Sequence, residues 1–204
     1  MKKIEIIWRE ILFCAIEKKN RQFTQKEVAA KFGFSTSTVF QALKIPRKVG
    51  AIRVTGRFFT LEDTEKLLYC WASVRDIDKD IKLTTHVDLT IPEIEARMPA
   101  DIVFGGFTAA REILGGNVPA DYDMVHVYAP NLTSIQKRFE FGKTLSAGRQ
   151  GRANLFVLPA DKFLASYGQI TTIAQTFVDL WNLPVWYANE FTKSLKAKID
   201  EFLP

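Results

Sequence analysis

Ser35, Thr36, Ser37, Phe40 and Gln41 fall within a short stretch whose apolar residues Val39, Ala42 and Leu43 point the other way at helical spacing. On a helix this arrangement buries one face and presents small polar groups on the other. An exposed Gln amide can bond adenine N6 and N7 together, and hydroxyls can bond purine or pyrimidine edges in a major groove. These five are the candidate base contacts. Phe40, on the outward side between Thr36 and Lys44, is placed either to touch a thymine methyl group or to rest against a neighbouring hairpin. The competing reading of all five is the ordinary surface of a short helix.

Cations surround this ridge. Lys44, Arg47, Lys48, Arg53 and Arg57, with the hydroxyl of Thr55, are the candidate phosphate contacts, which would position the protein without specifying a sequence. If the five cations each neutralise one phosphate, log K should fall against log salt with a slope of about −4.5.

A second constellation suggests metal-dependent chemistry. Gly105-Gly106 followed by Asp121-Tyr122-Asp123 resembles the nucleotidyltransferase pattern, in which a Gly turn cradles phosphate and two carboxylates on one strand face hold Mg²⁺. Against it, Asp121 follows Pro119 and can sit in a loop. The strand 154–158 carries no third acid, and Asp161 beyond Pro159 suits a helix cap. The expectation is therefore no catalysis, no cofactor and no metal. His86 and His126 stand 40 positions apart without a cluster of ligands, and no nucleophile elbow, P-loop or dinucleotide fingerprint is present.

The elements that would carry the ridge are legible in the caps. Thr24 with Glu27 three residues on forms a capping box, stapled by Phe23 and Val28, and Gly33 closes the helix it starts. Ser35 caps a second helix, Thr36 to Lys44. An amphipathic helix carrying Ile4, Ile7, Trp8, Ile11, Leu12 and Ala15 precedes them, and two alternating runs about a Thr55-Gly56 turn follow. Three helices and a hairpin predict a winged helix-turn-helix over 1–66.

Beyond it, a connecting helix in 62–80 ends in a charged stretch. Strands at 84–89, 101–104, 124–129 and 155–158 then alternate with helices at 91–98, 108–114 and 132–139. Two closing helices, about 173–183 and 186–202, complete a mixed α/β (α+β) domain over 67–204. Gln175, Phe177 and Asp179 form either a partner surface or a core-packed helix, with Trp181 buried in the second case. The loop 146–152 is short and basic.

Charge separates the two regions. Residues 1–61 hold 13 Lys and Arg against 4 Asp and Glu, a net of +9, whereas the remainder carries −4. Clustered cations suit a polyanion. Cys14 and Cys70 are far apart and read as small core residues. No signal peptide or membrane span is evident, which points to a cytoplasmic protein.

Together, the segment 25–44, the run Val103-Phe104-Gly105-Gly106-Phe107-Thr108-Ala109-Ala110, the strand 154–158 and the stretch 170–180 resemble the AbiEi family of antitoxin-like transcriptional regulators. The resemblance implies binding of double-stranded operator DNA through the winged helix, autorepression, and restraint of a nucleotidyltransferase toxin. Operator palindromes read by such modules also imply a homodimer. The alternative class is a nucleotidyltransferase-fold enzyme, using Gly105, Gly106, Asp121 and Asp123, with an appended nucleic-acid-binding domain.

Overall fold

The structure, a computed structural model, describes residues 1–139 and 152–202. It is a mixed α/β protein with two small sheets. Helices α1 (Lys3–Glu17), α2 (Gln25–Phe32) and α3 (Thr36–Lys48) come first, with the two-residue strand β1 (Gln22–Phe23) between α1 and α2. The hairpin β2 (Ile52–Thr55) and β3 (Phe58–Leu61) follows. β1 pairs with β3, so the first sheet has three antiparallel strands in the order β1-β3-β2.

The expected caps form. The Thr24 hydroxyl accepts from the Glu27 amide at 3.1 Å while the Glu27 carboxylate accepts from the Thr24 amide at 3.1 Å. Gly33 takes φ +63°, the left-handed conformation that glycine enters without steric cost. Ser35 accepts from the Thr38 amide at 3.1 Å.

Two local expectations are corrected. The second helix does not stop at Lys44 before Pro46 but runs through it to Lys48. A helical proline leaves the carbonyl four residues back without its amide, and here the Trp8 indole N–H donates to that Ala42 carbonyl at 2.8 Å. The hairpin turn is Gly56-Arg57 rather than Thr55-Gly56, because Thr55 still pairs with Phe58 in the ladder. Gly56, at φ +57°, occupies the first turn position, where a tight hairpin needs positive φ.

The second region continues with α4 (Thr64–Val74), α5 (Ile77–Asp80), β4 (Leu83–Thr85), α6 (Ile91–Ala96), β5 (Val103–Gly105), α7 (Gly106–Ile113), β6 (Val125–Ala129), α8 (Leu132–Arg138), β7 (Leu155–Pro159), a 3₁₀ turn (Leu164–Tyr167), α9 (Ile173–Trp181) and α10 (Trp186–Phe202). Its sheet has the order β4-β7-β6-β5, parallel only between β6 and β7. Alternation along β6 sends Val125 and Val127 to a small core with Ile94, Ile135, Leu155 and Val157, and His126 and Tyr128 to the opposite face. Of the basic stretch 146–152, only Arg152 lies within the described residues.

One apolar core runs through both regions. It joins Trp8, Ile11 and Leu12 of α1 and Leu43 of α3 to Leu68 and Trp71 of α4, Phe107 of α7, Phe177 of α9 and Phe191 of α10. The expected boundary between residues 66 and 67 falls inside α4.

Buried ion pairs cross the same seam. Arg75, just past α4, donates from Nε to Asp179 at 2.8 Å and reaches Glu5 at 3.4 Å, and the Tyr128 hydroxyl donates to the other Asp179 oxygen at 2.5 Å. Arg9 of α1 forks onto both oxygens of Asp161 at 2.8 and 2.9 Å. Burial opposes the charge on Arg75, but Asp179, Tyr128 and Asp80 together outweigh it and hold the guanidinium pKa above its ordinary value.

Candidate nucleic-acid interface

α3 carries the candidate ridge because its apolar residues Val39, Ala42, Leu43 and Pro46 are buried against the core while the residues between them are not. Ser35, Thr36, Ser37, Phe40 and Gln41 are all exposed, as are Lys44, Arg47, Lys48, Arg53, Thr55 and Arg57. Among the described residues, no part of the larger region covers them. Ser35 is already engaged in capping, with its hydroxyl also 2.9 Å from that of Thr38, so Thr36, Ser37 and Gln41 remain the free hydrogen-bonding groups of the ridge.

Phe40 is 40% exposed, and Lys44 and Arg47 sit over its ring at 5.8 and 5.9 Å from the centroid. An aromatic face under two cations holds their charge close to the helix axis. Between the start of α3 and the hairpin lies a cleft of about 450 Å³, bordered by Thr36, Gln25, Lys26, Val54, Arg57 and Phe58. Gln25 and Lys26 at the start of α2 were not among the sequence candidates. Their signal was position, since the first turn of α2 flanks the ridge.

Among the described residues, Lys44, Arg47, Lys48 and Arg57 take part in no ion pair, whereas Arg53 is bound to Glu62 at 2.8 Å. The contrast with Arg9, Arg75 and Arg111, each joined to a carboxylate, is electrostatic. Paired cations contribute little field, while four unpaired ones on neighbouring elements sum.

Asp121 and Asp123 precede β6 in an irregular segment rather than sharing a strand face, and the Tyr187 hydroxyl donates to Asp123. Gly105 and Gly106 serve packing. A Cβ on Gly105 would stand 2.9 Å from the Tyr128 ring, and one on Gly106 2.9 Å from His126 Nδ1, with Gly106 at φ +53°. Among the described residues, no group of three or more His, Cys, Asp and Glu side chains is placed to hold a metal.

Other expectations resolve by burial. Gln175, Phe177 and Asp179 are fully buried, so they pack the core and do not form a partner surface; Trp181, expected inside, is 51% exposed. Asp161 does accept from the Phe163 amide at 3.1 Å, as a cap would, while also holding Arg9. Cys14 and Cys70 are half-buried free thiols, and burial and Glu10 push the Cys14 pKa up to about 12. Among the described residues no helix is long and apolar enough to cross a membrane.

Compared with protein-family models, curated proteins and solved structures, the chain matches none. The resemblance to the AbiEi family therefore rests on the sequence segments alone.

Proposed function

We propose that the chain is a sequence-specific DNA-binding transcriptional regulator whose α1–β3 region acts as a winged helix, with α3 in the major groove and the β2–β3 tip along the backbone. The observation that carries this reading is the coincidence on one open face of three hydrogen-bonding side chains, Thr36, Ser37 and Gln41, with four cations, Lys44, Arg47, Lys48 and Arg57, that have no ion-pair partner among the described residues. The polar groups suit base edges and the cations suit phosphates.

Autorepression, cytoplasmic location and pairing of two copies on a palindrome belong to the same proposal. Restraint of a nucleotidyltransferase toxin rests on the AbiEi resemblance alone. The test is retardation of DNA from upstream of the chain's own gene. Specific retardation abolished by Thr36→Ala with Gln41→Ala, while binding to unrelated DNA persists, supports the regulator. Equal affinity of wild type and the double variant for every duplex contradicts it.

A further inference from the structure

A lone exposed apolar side chain is ordinary on a protein surface. Phe40 is set apart by its neighbours. It is 40% exposed in the middle of α3, with Thr36 one turn before it, Lys44 one turn after it and Gln41 adjoining it, all three exposed. Lys44 Nζ and Arg47 Cζ stand 5.8 and 5.9 Å from its ring centroid. Cations at that distance are attracted to the ring face, so an aromatic ring and two phosphate-seeking groups form one cluster on the candidate interface.

A major groove offers this ring one apolar group among the donors and acceptors of the base edges, the C5-methyl of thymine. That methyl lies at the margin of the groove, near the phosphates of its own strand. A ring flanked by two cations that take phosphates is carried to the same margin.

Gln41 narrows the choice further. Consecutive Cα atoms are about 3.8 Å apart, close to the base step of about 3.4 Å, so Phe40 and Gln41 reach the same base pair or adjacent ones. A Gln amide pairs bidentately with adenine N6 and N7, and the partner of adenine is thymine. The two side chains are therefore complementary to an A·T pair, or to two in succession.

We infer, resting on the reading of α3 as the major-groove helix, that Phe40 determines sequence specificity by packing on the C5-methyl of a thymine, at or beside the pair whose adenine Gln41 bonds. A ring that merely faced solvent, or only held its two cations, would be indifferent to that methyl.

The test lets the full chain select duplexes from a randomised pool. In the tightest-binding one each thymine is then replaced singly by deoxyuridine, which removes the methyl and keeps the pairing. Affinities are measured by fluorescence anisotropy at one fixed salt concentration. One replacement per bound chain is expected to weaken the wild type about fourfold, the worth of one methyl-sized group withdrawn from contact. Phe40→Ala should bind the thymine and deoxyuridine duplexes equally, and Phe40→Leu, still apolar, should keep part of the preference. Gln41→Ala should keep the deoxyuridine effect and lose that of 7-deazaadenine, which lacks N7. The readout is a ratio of two affinities within one protein, so a general weakening in Phe40→Ala does not imitate it. Sequence-specific binding in which no thymine is sensitive to deoxyuridine would overturn the inference and leave the major-groove reading standing. So would a sensitivity that both Phe40 variants retain in full. Failure to select any duplex would overturn both.

Discussion

The indole N–H of Trp8 donates to the carbonyl of Ala42 at 2.8 Å, the one helical carbonyl that Pro46 cannot serve. The bond ties the long helix beneath the fold to the helix that carries the candidate interface, and it lets α3 run a turn beyond where a proline would stop it.

Trp8→Phe should therefore cost about 1–3 kcal/mol from the orphaned carbonyl beyond the loss of packing. In a Pro46→Ala background the restored amide supplies Ala42, and the same substitution should cost correspondingly less. Urea denaturation of the four proteins gives the coupling. Equal costs in both backgrounds would show that the indole bond does not compensate for the proline.

Arg75 and Asp179 are a different kind of link, buried at both ends and 104 residues apart in sequence. Asp179→Asn should destabilise by about 3–5 kcal/mol, because it leaves the Arg75 charge undercompensated in the core. Lys193→Gln, which breaks an exposed pair with Glu190 at 2.9 Å, should change stability by less than about 1 kcal/mol. Comparable effects of the two on Tm would contradict the assignment of the buried pair.

How much of this was legible follows from range. The caps at Thr24 and Ser35, the glycine at 33 and the apolar periods of α1, α9 and α10 are local signals, and they place most elements within a few residues. The strand Gln22–Phe23 has no such signal, being two residues defined only by pairing with β3. The continuation of α3 depends on Trp8, a residue 34 positions away. The pairings of Arg9 with Asp161 and of Arg75 with Asp179 depend on residues more than a hundred positions apart, which no local pattern joins. The candidate ridge was legible because exposure on a helix follows from its period. The burial of His126 was not, although strand alternation does set that residue on the same face as Tyr128 and opposite Val125 and Val127.

His126 gives stability a pH dependence of known sign. Its pKa is about 4 in the folded protein against 6.5 ordinarily, so between these values the unfolded chain binds a proton that the folded one refuses. The residue's contribution is complete above about pH 6.5, falls as pH drops toward 4, and amounts to about 3 kcal/mol across the window. His126→Phe should flatten the stability curve between pH 6.5 and 4 relative to wild type. Parallel curves would contradict the burial of a neutral ring.

Gly106 separates packing from phosphate chemistry. Gly106→Ala should lower Tm, both from the clash with His126 and from positive φ. Adding His126→Ala should recover the steric part and leave about 1–2 kcal/mol for the backbone. Failure of the second substitution to recover any stability would contradict the packing role. Incorporation of labelled nucleotide by the wild type, lost in Asp123→Ala, would support the enzymatic reading.

The most direct test of the central claim is the salt dependence of binding to fluorescent duplex DNA, measured by anisotropy for wild type and Arg57→Gln. With Arg53 held by Glu62, Lys44, Arg47, Lys48 and Arg57 together with Lys26 make five free cations among the described residues at this face, and the slope of log K against log salt should be about −4.5 per protein and smaller by about 0.9 in the variant. No binding to any duplex at low salt, or a slope that Arg57→Gln leaves unchanged, would contradict the placement of DNA across α3 and the hairpin.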